Sequence, residues 1–136
     1  MSEELELFRE NVRRFVKEEV APNYLQWEKD GIFPRHLWNK LGEQGLLAVD
    51  IPEEYEGVGA DFLFSMVIQE EFSKANCAAV GGPMAVHSDI VSHYILNYGT
   101  QSQKQTYLPK MVSGDCIGAV AMTEPGTGSD LQGIRT

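Results

Sequence analysis

Apolar residues recur at helical spacing near the start of the chain. Over residues 3–19 they fall at i, i+3, i+7, i+10 and i+11: Leu5, Phe8, Val12, Phe15 and Val16. This spacing predicts one helix with a single buried face. Ser2 is a suitable N-cap for it, and Glu3 and Glu4 suit the positive end of its dipole. Pro22 is expected to end the helix, because proline lacks an N–H and clashes with the preceding turn.

Two further helices are predicted before the middle of the chain. Pro34 opens a short one with Gly45 just beyond its end, and its buried side is Leu37, Trp38 and Leu41. The following sequence, LLAVDIPEEYEGVGAD, begins as a short extended segment and ends as a loop. Asp61 is an N-cap for a helix over 62–75, whose apolar first half, FLFSMVI, is expected to be buried on several sides.

Two more helices are predicted in the second half. The sequence GGP at 81–83 interrupts the apolar pattern, and a fourth helix follows over 83–98. Thr100 and Gln103 form a T-x-x-Q capping box, which starts a fifth helix at 101. Pro109 is expected to kink or close that helix.

The pattern changes at Cys116. The sequence CIGAVAM, residues 116–122, is a short apolar run without helical spacing and is bounded by turn residues, which is typical of a strand. A lone strand leaves its backbone groups without partners. The sequence therefore predicts an all-α domain over 1–115 and the truncated start of a β domain over 116–136, the front part of a larger protein.

Composition excludes several classes of partner. The 136 residues suit one domain, and 20 acidic against 11 basic residues give a net charge of −9. This charge argues against nucleic-acid and anionic-membrane partners. No apolar run approaches the ~20 residues of a membrane span, and the acidic N-terminus resembles neither a signal nor a transit peptide. Cys77 and Cys116 form no CxxC, so we expect no disulfide framework and a reducing compartment.

Two groups of titratable residues are weak candidates for a metal or catalytic site. Glu53, Glu54 and Glu56 lack the His or spaced Asp that such a site would need. His87 and His93 are six positions apart, which does not bring them to one helix face as a ligand pair. We therefore predict no metal site and interpret both histidines as core or surface residues.

The stretch AMTEPGTGSD, residues 121–130, has the composition of a ligand-binding loop. Its glycines would let the backbone approach a ligand closely and adopt positive φ, and successive N–H groups in such a turn form an anion-binding nest. Thr123, Thr127 and Ser129 add hydroxyl donors of little bulk. A cofactor loop and an ordinary β-turn at 124–126 are both compatible with this chemistry.

Two familiar phosphate-binding motifs do not fit this loop. A Rossmann G-x-G-x-x-G would need glycine at the position of Leu131. A P-loop needs lysine after its last glycine, but Ser129 and Asp130 follow Gly128. The residues alone leave the ligand of this loop open.

AMTEPGTGSD followed by LQGIRT resembles the signature of the acyl-CoA dehydrogenases. FVKEEVAP, LGEQGLLAVDIPEEYEGVGAD, QEEFSKANC and YLPKMVSGDCIGAVAMTEPGTGSD also occur in the order and spacing of that family, with most likeness to its long-chain branch. The family has an N-terminal all-α domain, a middle β domain and a C-terminal helical domain. The resemblance implies a mainly α chain, with the five- to six-helix first domain over 1–115 and the first strand of the middle domain after it.

The resemblance also implies an FAD cofactor, bound by the strand and loop. Met122 and Thr123 would lie at the isoalloxazine edge, and Gly128 and Ser129 near the phosphate side of the flavin. The complete set of implied cofactor-binding residues is Val120, Ala121, Met122, Thr123, Glu124, Pro125, Gly126, Thr127, Gly128 and Ser129.

A fatty acyl-CoA substrate is implied in the same way. Ser129 would contact the pantetheine part, and the start of the fourth helix is similar to the family's segment that lines the acyl cavity. The implied substrate-binding residues are Ser129, Pro83, Met84, His87, Ser88 and Val91. Ordinary helix packing is an equal alternative for the last five.

The implied reaction is α,β-dehydrogenation of a fatty acyl-CoA, as in β-oxidation. Flavin N5 accepts the hydride, and the electrons then pass to an electron-transferring flavoprotein. The catalytic base is a glutamate of the C-terminal domain, so no residue of this chain is named as catalytic, Glu124 included, and the fragment is expected to be inactive. The parent would be a homotetramer, in the cytoplasm of a bacterium or the mitochondrial matrix of a eukaryote.

Two alternatives remain open from the sequence. One is another flavoenzyme on the same fold, such as an acyl-CoA oxidase or a nitroalkane oxidase. The other is a helical interaction module without a cofactor, which the helix count and the acidic surface would suit.

Overall fold

A computed structural model describes residues 2–136, and it is mainly helical, as predicted. The α-helices are α1 (Glu3–Phe15), α2 (Ala21–Asp30), α3 (His36–Glu43), α4 (Phe62–Lys74), α5 (Ala78–Ala85), α6 (Ser92–Tyr98) and α7 (Gln101–Val112). The π-helical turns Val16–Val20 and Val86–Val91 join α1 to α2 and α5 to α6. Short 3-10 turns lie at Glu53–Tyr55 and Leu131–Gly133. Within these residues no helix has the length and hydropathy of a membrane span.

The first helix does not end at Pro22, contrary to our prediction. Ser2 caps its start as expected, accepting a hydrogen bond from the Leu5 N–H at 3.2 Å. A π-helical turn then follows α1, and the Ala21 N–H bonds to the Val16 carbonyl five residues back. Pro22 lies in the first turn of α2, where its missing N–H is tolerated.

The end of α3 forms the turn that the sequence predicts. Gly45 adopts a φ of 64°, and its N–H donates to the Gly42 carbonyl while the Leu46 N–H donates to that of Leu41, both at 2.9 Å. This pair of bonds is a Schellman motif. The predicted extended segment after it is wrong: residues 47–51 form bends and turns. The consecutive side chains at 46–49 are all buried, whereas a strand would point alternate ones to opposite faces.

Two prolines lie inside helices that we expected them to interrupt. α5 begins at Ala78, before the GGP sequence, and Pro83 is within it. A Cβ at Gly81 would lie 3.1 Å from the Phe72 Cβ, so glycine allows α5 to pack closely on α4. Pro109 likewise lies within α7, which continues to Val112. Packing of these helices outweighs the local cost of proline.

The core has one larger and one smaller hydrophobic cluster. The larger cluster joins α1, α3, α4 and α5 around Val12, Leu41 and Phe72, each fully buried. The smaller one packs Leu108 of α7 against Ile51 and Tyr55. After α7, Gly114 packs against Trp38 of α3 and Gly118 packs against Val91. Most residues of the loop at 121–130 are exposed.

Residues 116–122 are not a strand, so this prediction is wrong. A strand needs a neighbour for its backbone groups, and none runs beside this segment in the part of the chain that the structure describes. The Cys116 N–H instead donates to the Lys110 carbonyl at 2.9 Å. The Gly118 N–H donates to Nδ1 of His87, also at 2.9 Å. The helices, rather than a sheet, therefore hold this segment.

Candidate functional site

The loop at 121–130 is built around a tight turn. The Thr127 N–H donates to the Glu124 carbonyl at 3.0 Å, and the Glu124 N–H donates to the Thr127 carbonyl at 3.0 Å. The β-turn at 124–126 is therefore present. Thr127 is buried under it, while Pro125 and the flanking residues are exposed, so most of the loop faces outward.

The glycines of this loop are not required by contacts within the chain. Neither Gly126 nor Gly128 has a positive φ, so this structure does not use the conformational freedom that we expected. A Cβ added at either position would meet no atom within 4 Å. The space beside both residues is open to a ligand.

Hydrogen-bond donors are left free along the same surface. Within residues 2–136, the N–H groups of residues 120–123, of Gly128 and of Ser129 have no acceptor. The side chains of Thr123 and Ser129 are also exposed and make no hydrogen bond. Such a row of free donors suits a ligand rich in acceptor atoms or negative charge.

The Glu124 side chain is bonded to residues 135 and 136. Its carboxylate accepts hydrogen bonds from the Arg135 N–H at 3.1 Å and the Thr136 N–H at 3.0 Å, and a third from the Thr136 hydroxyl. The hydroxyl and the two N–H groups lower the pKa of Glu124. A carboxylate whose pKa is lowered in this way is a poor proton acceptor.

The five helix residues that we expected at the substrate have different environments. Pro83 is exposed and Val91 is half-buried, whereas Met84, His87 and Ser88 lie in the interior. Ser88 Oγ accepts a hydrogen bond from the Ala48 N–H at 2.9 Å. Of the five, only Pro83 lines a cavity of substantial volume.

That cavity has a volume of about 700 Å³ and lies between α2, α3 and α5. Four aromatic residues line it, Tyr24, Trp27, Phe33 and Trp38, together with the charged Glu28 and Arg35. Pro83 and Ile117 line it as well, and Ile117 is three residues before the loop segment at 120–129. Trp27 was not predicted as a functional residue because α2 was not predicted. The closely spaced aromatic residues of 24–38 are the sequence signal that this helix would have revealed.

His87 is fully buried and both of its ring nitrogens are bonded to backbone. Nδ1 accepts from the Gly118 N–H at 2.9 Å, so Nε2 carries the proton and donates to the Met111 carbonyl at 3.0 Å. Burial lowers the pKa of His87 and so favours this neutral ring. The ring of Trp38 lies edge-on at 5.2 Å. His87 thus has no ring nitrogen free for a ligand.

Other polar pairs lie away from the loop. His93 Nε2 is 2.7 Å from Asp50 Oδ2, and Ser65 donates to Asp89 through a short hydrogen bond. No three His, Cys, Asp or Glu side chains among residues 2–136 are placed to share a metal ion. These pairs join separate segments of the fold and make no cavity with the loop.

Comparison with known proteins covers nearly the whole chain. Residues 2–115 match the family model of the acyl-CoA dehydrogenase N-terminal domain. Over 135 residues the chain is 51% identical to the mitochondrial long-chain specific acyl-CoA dehydrogenase of Mus musculus, covering 99% of this chain and 31% of that protein. It therefore spans about a third of the length of such curated relatives.

Solved structures give the same result. The crystal structure of acyl-CoA dehydrogenase from Geobacillus kaustophilus has a TM-score of 0.92 at 48% identity, covering 98% of this chain and 35% of that one. The acyl-CoA dehydrogenase of Bacillus anthracis, solved in complex with FAD, has a TM-score of 0.86 at 34% identity, covering 99% of this chain and 23% of that one. The resemblance drawn from the sequence is confirmed: the chain belongs to the acyl-CoA dehydrogenase family.

Proposed function

We propose that this chain is the N-terminal part of an FAD-dependent enzyme that dehydrogenates fatty acyl-CoA thioesters at the α,β bond. Residues 1–115 would be its helical domain, and 116–136 would begin the domain that follows. Membership of the family supports the reaction class. The similarity to the mouse long-chain specific enzyme supports a long-chain acyl group and a role in β-oxidation.

The observation that carries the proposal is the row of free donors on the loop. FAD has a polar ring edge and an anionic pyrophosphate, both of which need N–H or hydroxyl donors. The N–H groups of 120–123 and the Thr123 hydroxyl fit the ring edge, and those of Gly128 and Ser129 fit the phosphate side. Bound FAD would supply the hydride acceptor, and these residues would fix its position.

The open space beside Gly126 and Gly128 supports the same assignment. Their contacts within the chain do not require glycine, and neither does their backbone conformation. Close approach of a cofactor to the backbone would require it. The loop residues Val120–Ser129 are therefore proposed as the cofactor contacts of this chain.

The aromatic-walled cavity beside Pro83 is the proposed place for the acyl chain. Its volume of about 700 Å³ and its mainly apolar walls, which Glu28 and Arg35 interrupt, suit a long aliphatic group. Ile117 lines the cavity and lies shortly before the loop segment in the chain. One acyl-CoA molecule would therefore extend from the cavity to Ser129, and Ser129 would contact its pantetheine part. Met84, Ser88, Val91 and His87 would shape this region from beneath rather than touch the chain.

The remaining partners follow from the proposed reaction. An electron-transferring flavoprotein would reoxidise the flavin, and the whole protein would be a homotetramer in a bacterial cytoplasm or a mitochondrial matrix. The family resemblance implies that the catalytic base would come from the remainder of the polypeptide. Glu124 already accepts hydrogen bonds from residues 135 and 136. The isolated 136-residue chain would then be inactive.

The test is an anaerobic visible spectrum of the full-length protein, meaning this chain with the remainder that its relatives possess. We expect a flavin band that bleaches when a long-chain acyl-CoA is added. A colourless protein that FAD cannot reconstitute would contradict the proposal and favour the cofactor-free interaction module. Rapid oxygen consumption during turnover would instead identify an oxidase on the same fold.

A further inference from the structure

We infer that His87 is a positioning residue, which anchors Gly118 to the helical bundle and so fixes where the loop at 120–129 begins. The anchoring depends only on the geometry of this chain. Its consequence for a bound flavin rests on the proposed function.

The hydrogen bond between His87 and Gly118 is isolated. Within the described part of the chain, it is the one hydrogen bond that any backbone group of residues 117–123 makes. Before it, the Cys116 N–H bonds to the end of α7 at Lys110; after it, the next bond is in the turn at Glu124. The path of seven residues into the loop therefore depends on a single polar contact.

Packing around Gly118 fits the same role. A Cβ at this position would lie 2.7 Å from Val91 Cγ1 and 3.0 Å from Met111 Cε, so only glycine allows the backbone to come this close. Met111 is also the residue whose carbonyl accepts from His87 Nε2, at 3.0 Å. The imidazole thus connects the end of α7 to the segment that crosses it.

The chain is fixed immediately before this point as well. Gly114 has a φ of 79°, and its ideal Cβ position is 2.2 Å from the Trp38 carbonyl oxygen. Asp115 accepts hydrogen bonds from Arg35 at its carbonyl, 2.9 Å, and from Asn39 at Oδ1, 2.7 Å. These contacts hold residues 114 and 115 against α3. The hydrogen bond from Gly118 to His87 then fixes the course of the backbone that follows.

The chemistry requires an acceptor at Nδ1. A ring that carried a proton at Nδ1 would turn an N–H toward the Gly118 N–H and break the contact. Asparagine places an amide oxygen near the position of Nδ1, whereas glutamine places its amide near Nε2. The variants His87→Asn and His87→Gln therefore each keep one of the two backbone contacts and lose the other.

The experiment compares these two variants in the full-length protein. Hydrogen exchange at the Gly118 amide and the dissociation constant for FAD are measured, with exchange in α1 and α4 as the control for overall folding. For His87→Gln we expect exchange at Gly118 to accelerate and FAD binding to weaken, each about tenfold, because one buried hydrogen bond is lost. His87→Asn is expected to stay within about threefold of the natural protein in both measurements, because it keeps the acceptor for Gly118.

Several results would overturn the inference. Unchanged exchange at Gly118 in His87→Gln would mean that His87 does not anchor this residue. Faster exchange with unchanged FAD binding would mean that the anchor does not position the loop for the cofactor. Equal weakening of FAD binding in both variants would indicate a merely structural histidine. If neither variant folds, hydrogen exchange in the natural protein tests the inference. The Gly118 amide should exchange at least about tenfold more slowly than the amides of Ile117 and Ala119, and equal rates would overturn the inference.

A failure of the proposed function would give a different pattern. The natural protein would then bind no FAD, while exchange at Gly118 would still report on the anchor.

Discussion

Glu71 of α4 and Arg9 of α1 form a hydrogen-bonded ion pair at 2.8 Å, with the Glu71 side chain only 3% exposed. Arg13 Nε donates to the other carboxylate oxygen at 2.8 Å, and Lys74 Nζ lies 3.1 Å away. This cluster joins the first helix to the fourth, 62 positions apart in sequence for Arg9 and Glu71. One acidic side chain therefore holds two helices of the larger core cluster together.

Replacing Glu71 by glutamine should destabilise the fold. The variant keeps the shape of the side chain but removes the charge that compensates the arginines, and we expect the free energy of unfolding to fall by about 3 kcal/mol. Glu70→Gln is the control: Glu70 also contacts Arg9, but its side chain is 48% exposed, so its loss should cost less than about 1 kcal/mol. Urea denaturation measures both. Equal losses in the two variants would contradict this account.

The same carboxylate should make stability depend on acid pH. Burial acts to raise the pKa of Glu71, but hydrogen bonds from Arg13, Arg9 and Lys74 outweigh it and lower the pKa to about 2. Its pKa in the folded state is below the ordinary 4.5, so its stabilisation is complete above pH 4.5 and is lost as the pH falls toward 2. Urea denaturation of the natural protein and of Glu71→Gln across this range should show their difference shrinking. A constant difference would refute the assignment.

Adding a methyl group at Gly118 should disturb the segment that leads into the loop. The new Cβ would lie 2.7 Å from Val91 Cγ1, and we expect Gly118→Ala to cost about 1–3 kcal/mol. Combining it with Val91→Ala should recover part of that loss, because the clashing methyl group is removed. Thermal unfolding of the single and double variants checks both statements. Purely additive losses would show that the two residues do not compete for space.

The same change should be harmless to folding at the two glycines of the loop. For Gly126→Ala and Gly128→Ala we expect stability within about 0.5 kcal/mol of the natural protein, since the added Cβ meets nothing within 4 Å. FAD binding by the full-length protein should nevertheless weaken about tenfold or more, because the backbone could no longer approach the cofactor. Fluorescence titration with FAD measures this loss. Unchanged affinity in both variants would remove the glycine argument for the cofactor site.

Several features of the fold follow from a few neighbouring residues, and these were predicted correctly. Ser2, Asp61 and Thr100 cap their helices through their own side chains, and Gln103 completes the capping box. Each of these motifs satisfies free N–H groups of the next turn, so it acts over about three residues. The resemblance of residues 121–136 to the acyl-CoA dehydrogenase signature is also a property of neighbouring residues.

The wrong predictions concern residues whose outcome depends on distant partners. Pro22 lies in the first turn of α2, where proline carries little local penalty. Pro83 lies within α5 and Pro109 does not close α7, because helix packing contributes more than the local penalty. The aromatic cavity also went unnoticed, since its walls come from α2, α3 and α5. Periodicity along one segment contains no information about which other segment will face it.

The sequence by itself determined where α1, α4 and α7 begin, that the chain is mainly helical, and that residues 121–130 form a loop with spare N–H groups. Capping, periodicity and turn composition are local, and they act before any tertiary contact forms. Only the tertiary structure showed the two backbone hydrogen bonds of His87, which the family resemblance implied as a substrate contact with ordinary helix packing as an equal alternative. Its two backbone partners are 24 and 31 positions away in the sequence. Hydrogen bonds between residues so far apart cannot be predicted from the composition or periodicity of one segment. The tertiary structure likewise decided that 116–122 is not a strand, because backbone pairing requires a neighbour and the nearest groups belong to helices.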